Sequence, residues 1–171
     1  MGSYLNPGNK GFQESLNSEI YVDKTGLIEK TNAVLDTRQK FLCVSRPRRF
    51  GKSMAADMLA AYYERGEDAD LLFRSLKISK AESYRAHLNQ YDVIKVNIQE
   101  FLSMTGSMDE MLSMLKKYLV FDLMEHFDDV RFRDESNLIQ VMKDIYAKTK
   151  RAFVILIDEW DCLFREYQQD Q

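Results

Sequence analysis

The run Ala152–Ile157 (AFVILI) is the most hydrophobic in the chain and has no polar face. It is too short for an ordinary helix, and it suits a strand buried on both sides in a parallel sheet. Such a strand needs helices to cover it and other strands beside it. Two further apolar runs meet the second need: Lys40–Ser45 (KFLCVS) and Tyr91–Ile98 (YDVIKVNI), both read as strands.

Helical stretches fall between them. Thr25–Val34 is a short amphipathic helix. Lys52–Glu64 (KSMAADMLAAYYE) is rich in strong helix formers, and Gly66 is placed to close it. Asp68–Ser83 reads as a short helix plus a connection. Ser107 and Glu110 form an S-x-x-E capping box. After it, Met108, Met111, Leu112, Leu115, Leu119, Leu123 and Phe127 share one helical face, a core stripe and not a cofactor box. Asp128–Glu135 is a charged connection, and Leu138–Lys148 is a further amphipathic helix. Strands alternating with helices imply an α/β domain with a mostly parallel sheet. Residues 1–20, with Pro7 and several Gly, Asn and Ser, read as an irregular arm.

Composition narrows the class. The 171 residues suit one domain, and 45% hydrophobic and 12% aromatic residues can fill a core. Mean hydropathy of −0.41 and 30% charged residues fit a soluble globular protein. Lys plus Arg number 24 and Asp plus Glu 27, so the net charge is −3, which does not favour a nucleic-acid surface. No apolar stretch approaches a membrane span, and no signal-type segment opens the chain, so a cytoplasmic location is expected. Cys43 and Cys162 lack metal-site spacing and read as small buried side chains in a reducing compartment. His87 and His126 are isolated and read as structural.

The chemistry-bearing signal is Arg46-Pro47-Arg48-Arg49-Phe50-Gly51-Lys52-Ser53, between an expected strand and an expected helix. A triphosphate needs converging backbone N–H groups, and a glycine such as Gly51 lets the backbone approach closely. It also needs a helix that begins at the anion. Lys52 is placed to reach the β- and γ-phosphates, and the Ser53 hydroxyl to ligate Mg²⁺. The pattern G-x-x-x-x-G-K-[ST] wants glycine where Arg46 stands. Read by itself, the segment could be an ordinary basic strand-to-helix turn. The second signal is the apolar run ending in Asp158-Glu159. A Walker B strand delivers an Asp that orients Mg²⁺ and a Glu that polarises the attacking water. Both segments stand at strand C-termini, where α/β sheets place ligands. The expected cofactors are therefore ATP and Mg²⁺. Arg46, Pro47, Arg48, Arg49, Phe50, Gly51, Lys52, Ser53 and Met54 hold the nucleotide, Ser53 and Asp158 hold the metal, and Glu159 and Lys52 are catalytic.

Tyr21-Val22-Asp23-Lys24-Thr25, the loop Ser45–Ser53 and Ile157-Asp158-Glu159-Trp160-Asp161 together resemble the bacterial AAA-ATPase-like proteins. The resemblance runs from about Asn6 to Asp161. In that family the loop reads R-P-R-R-F-G-K-S, so Arg46 is the family's own variant. The resemblance implies a three-layer P-loop NTPase-type parallel sheet flanked by helices, occupying 21–171 as a partial domain truncated after the Walker B strand. It implies a catalytic-Glu ATPase with an additional strand inserted between the two motif strands. Longer relatives carry the rest of the core and often a PD-(D/E)xK nuclease-like domain. The stretch after Asp161 is too short to supply the sensor strand or an arginine finger. An unpaired sheet edge is then expected to favour a homo-oligomer or a partner chain that completes the sheet, and hydrolysis is expected to be weaker than binding.

The leading expectation is an ATP-dependent switch or motor domain. The rival is a catalytically weak nucleotide-binding or assembly module. A part in nucleic-acid processing is suggested only by the longer relatives. Packing is the expected role of Tyr21 and Val22. Trp160 and Asp161 are expected to shape the mouth of the site, with Trp160 as a fluorescent reporter.

Overall fold

The computed structural model describes residues 3–45 and 51–164. The chain divides into two compact units, Gly8–Val93 and Met1–Pro7 with Ile94–Gln171.

The first unit is helical. Helix α1 (Lys10–Leu16) lies in the stretch expected to be irregular, and its Phe12 is 1% exposed. Phe12 stacks on Phe73 at 4.8 Å, which gives this short segment an apolar anchor. Helix α2 spans Gly26–Asn32 and α3 spans Lys52–Tyr63, both where the sequence places them. Gly11 lets α1 approach α3 closely, since a β-carbon there would lie 2.9 Å from Asp57 Cγ. Helix α4 (Asp70–Phe73) and a 3₁₀ turn (Lys77–Lys80) supply the expected short helix and connection, and α5 (Tyr84–His87) adds a turn not foreseen.

Two tyrosines at the end of α3 are fully buried, and each hydroxyl is satisfied. Tyr62 donates to the Tyr84 carbonyl (2.7 Å) and accepts from Asn32 Nδ2 (3.1 Å), while Tyr63 donates to Asn32 Oδ1 (2.7 Å). Burial holds both phenols above their ordinary pKa. Gly66 does not close α3. The helix ends at Glu64, whose backbone turns extended and bridges Tyr91 in parallel. Asn89, in the left-handed region at φ 57°, donates to the carbonyls of Glu64 (2.5 Å) and Glu67 (2.7 Å). A side-chain amide thus takes over the work expected of a glycine cap.

Glu64 itself is 1% exposed. Its Oε2 accepts from Gly8 N (2.7 Å), while its Oε1 is buried with no hydrogen-bond partner among the described residues. Burial, with the nearby Glu67 charge, raises its carboxyl above the ordinary 4.5. Between that value and the raised one, the folded chain keeps a proton that the unfolded chain has released. This linkage makes stability fall as pH rises through the window. Glu64→Gln removes the titration. Thermal melts from about pH 4 to about pH 8 are expected to show the variant gaining on wild type as pH rises. A constant difference across that range would refute the assignment.

The second unit holds the sheet. Strand β1 (Asp92–Asn97) begins at the boundary and β2 spans Phe153–Asp158, in a two-stranded parallel sheet of order β1–β2. Leu5 bridges Ile94 in antiparallel fashion, so the chain's start is built into the unit. Helix α6 (Ile98–Ser103), capped by Asn97, was not foreseen. Helix α7 spans Met108–His126. Ser107 Oγ accepts from Glu110 N (3.3 Å), and Glu110 returns a bond to Gly106 N (2.9 Å) instead of the cap residue. Of the expected apolar stripe, Met111, Leu119, Leu123 and Phe127 are buried, while Leu112 is exposed. Helix α8 (Leu138–Thr149) is capped by Asn137, and it packs Val141 and Ile145 into a core with Ile94, Val96, Phe101 and Leu123. The charged connection before α8 is clamped by Arg133, whose Nε donates to Asp144 Oδ1 at 2.7 Å.

Three further expectations are corrected. Residues 40–45 form no strand, and Phe41 is 88% exposed, because an apolar run becomes a strand only where another strand offers it a ladder. Strand β2 is not buried on both faces: Ile155 and Ile157, which alternate onto one face, are exposed, so among the described residues that face lacks the cover the other has. Cys162 is buried as expected, but Cys43, within the unpaired run, is exposed. The described architecture is α/β with a small parallel sheet and flanking helices. Among the described residues, no helix is long and apolar enough to cross a membrane.

Candidate functional site

In the first unit, the site residues gather at the head of α3. Gly51 occupies the N-cap in the left-handed region (φ 75°, ψ 35°), a conformation that costs any L residue about 1 kcal/mol or more. Its carbonyl accepts from Ala55 N (3.0 Å), which starts the helix. The N-terminus has no side-chain cap and no acidic residue in its first turn. The N–H groups there and the helix dipole therefore present positive potential with no carboxylate in the helix's own first turn to offset it. Lys52 and Ser53 are the first two helical residues, Lys52 half-buried and Ser53 exposed, followed by half-buried Met54. Arg46, Pro47, Arg48, Arg49 and Phe50 lie outside the described residues.

Lys24 also reaches this place. A β-carbon on Gly51 would lie 2.8 Å from Lys24 Nζ. The backbone around Lys24 is fixed from both sides. Asp23 accepts from Thr25 N (2.8 Å), Thr25 Oγ1 (2.6 Å) and Lys77 N (2.8 Å), and Thr25 Oγ1 accepts from Ile78 N (3.2 Å). Partial burial works against the Asp23 charge, but these hydrogen bonds outweigh it and hold the carboxyl below its ordinary range. The expected packing role divides: the Tyr21 ring meets Phe12 edge-on at 6.2 Å, whereas Val22 is exposed. Burial pushes the Tyr21 phenol up to about 12.

In the second unit, β2 carries Asp158 at its C-terminal end. Asp158 is 8% exposed, and its Oδ1 accepts from Glu159 N at 2.9 Å. Glu159 has φ 53°, in the left-handed region, and its carbonyl accepts from Cys162 N (3.2 Å). The strand therefore stops in a tight bend that carries both carboxylates. A non-glycine residue held in this conformation is a type of strain that concentrates at functional sites. Trp160, partly exposed in the same bend, meets Phe164 edge-on at 5.6 Å.

The donors fit the groups the motifs imply. The uncapped head of α3 suits an anion. A serine hydroxyl and a strand-end carboxylate are hard oxygen donors of the type Mg²⁺ accepts alongside phosphate and water. Among the described residues, no group of three His, Cys, Asp or Glu could hold a metal by itself.

These features define an α/β protein with a glycine-lysine-serine helix start and an apolar strand ending in Asp-Glu. The chain belongs to the AAA-ATPase-like family, whose model, described as "Predicted AAA-ATPase", matches residues 8–171. It is also similar to a protein of Azotobacter chroococcum mcd 1 described as "Uncharacterized protein in vnfD 5'region", with 26% identity over 146 residues. That match covers 82% of this chain and 25% of the relative, so the chain spans about a quarter of the length of the curated relative it matches. No solved structure matches.

Proposed function

We propose that the chain is the nucleotide-binding part of a Mg²⁺-dependent ATPase that serves as a switch or motor for an attached or partner domain. The observation that carries this reading is the head of α3. There a left-handed glycine opens a helix with no side-chain cap and no first-turn acid, and Lys-Ser follows, in a chain of the AAA-ATPase-like family. In this reading the backbone from Arg46 to Met54 cradles the phosphates, Lys52 neutralises them, and Ser53 and Asp158 direct Mg²⁺. The metal would supply charge neutralisation at the phosphate oxygens. Glu159 would take the proton of the attacking water. The three-layer parallel sheet of P-loop NTPases is the finer architecture that goes with this function.

Titration with ATP, with and without Mg²⁺, followed by Trp160 fluorescence and calorimetry, tests the proposal. Saturable binding is expected. Asp158→Asn should lower the affinity for MgATP by roughly tenfold while leaving metal-free ATP unaffected. Glu159→Gln should keep binding and lose phosphate release. If wild type shows no saturable binding under either condition, the proposal fails. Binding without any phosphate release by wild type would leave a nucleotide-holding assembly module in place of the ATPase.

A further inference from the structure

We propose that Lys24 is a second phosphate-binding lysine of this nucleotide site, acting beside Lys52. The inference rests on the nucleotide-binding reading above and deepens it. Lys24 stands far from the glycine loop in sequence, in Asp23-Lys24-Thr25, but its ammonium lies 2.8 Å from where a β-carbon on Gly51 would sit. Gly51 is the residue whose missing side chain opens the backbone to an approaching anion, so the space over it is where a phosphate would come. Lys24 Nζ borders that space.

The placement is built. Lys24 is an exposed residue, but both neighbours are tied down. Thr25 is 0% exposed and hydrogen-bonds the 3₁₀ turn through Ile78 N, and Asp23 holds Lys77 N and the Thr25 amide and hydroxyl. The Lys24 carbonyl accepts from Leu27 N (3.0 Å) at the start of α2. These bonds fix the Lys24 backbone, so its four-carbon stem starts from a defined point. The ammonium lies at the positive end of a twelve-residue helix, an arrangement that favours an anion between them. An ammonium donates to phosphate oxygens as a point charge and needs no fixed fork geometry, so Lys24 can meet a polyphosphate over Gly51 without a set angle of approach.

The test compares wild type, Lys24→Met, Lys24→Arg and Lys52→Ala in calorimetric titrations with MgATP, MgADP and inorganic tripolyphosphate. Lys24→Met should weaken all three ligands by roughly tenfold or more, and Lys24→Arg, which keeps the charge, should restore most of the loss. Thermal melts of the apo variants measure any effect on the fold separately, and rescue of binding by Lys24→Arg distinguishes ligand contact from a structural role. Lys24→Met binding as tightly as wild type, while Lys52→Ala does not bind, would overturn the role of Lys24 and leave the nucleotide site standing. Equal weakness of Lys24→Met and Lys24→Arg would also overturn it. Absence of binding by wild type would overturn the nucleotide site, and the role of Lys24 with it.

Discussion

Lys52→Ala should abolish measurable ATP binding, with an affinity loss of roughly 100-fold or more, equivalent to about 3 kcal/mol. The size follows from where Lys52 sits. It is the first residue of α3, directly after the left-handed Gly51, at a helix end with no carboxylate in its first turn. A polyphosphate bound there exchanges its contacts with water for backbone N–H groups and the ammonium that leads the helix. Removing that ammonium takes away the charge carried by α3 itself and leaves the ligand to the backbone dipoles and to groups reaching in from other elements. Lys52→Arg should not fully rescue binding, because a planar fork replaces a compact charge at a tight position. Calorimetry and Trp160 fluorescence measure the loss, and unchanged denaturation midpoints would show that the fold is intact. Lys52→Ala retaining wild-type affinity would remove the phosphate-binding role from the head of α3.

Asp122→Ala should cost about 3 kcal/mol of stability, a large part of what a domain of this size has in reserve. Asp122 lies on α7 and is 7% exposed. One of its oxygens, Oδ2, accepts from both Tyr4 N (2.6 Å) and Leu5 N (3.3 Å). These charge-assisted bonds hold the chain's start, where Leu5 is 1% exposed and Lys95 N donates to the Tyr4 carbonyl at 2.9 Å. The alanine variant would leave two amides near the core without their acceptor, the costly way to lose a hydrogen bond. Asp122→Asn keeps a carbonyl oxygen in the same place and should lose less than half as much. Urea denaturation of the three proteins measures the difference. An alanine variant within about 0.5 kcal/mol of wild type would show that the Asp122 bonds to residues 4 and 5 add nothing to stability.

Sequence patterns located the long helices well because each carries its own local signal. Ser107 and Glu110 announce α7, strong helix formers mark α3, and an amphipathic stripe marks α8. The strand at Tyr91–Ile98 was legible to within a residue or two. What failed depended on distant partners. Lys40–Ser45 has the composition of a strand and, unpaired, is not one. Gly66 looks like a helix stop, but Asn89, far along the chain, donates its side-chain amide to the carbonyls of Glu64 and Glu67 there. Residues 1–20 look irregular because their anchors, Phe73 for α1 and Asp122 for Tyr4 and Leu5, lie in other elements.

The order of residues was enough to place a glycine, a lysine and a serine at the start of a helix and two carboxylates at the end of an apolar strand. Adjacent residues on regular elements keep their spacing wherever those elements go. Only tertiary structure could carry Lys24 to Gly51. Hydrogen bonds from Lys77 and Ile78 to Asp23 and Thr25 hold the Lys24 backbone in place, and contacts between residues so far apart leave no periodic trace in a single sequence.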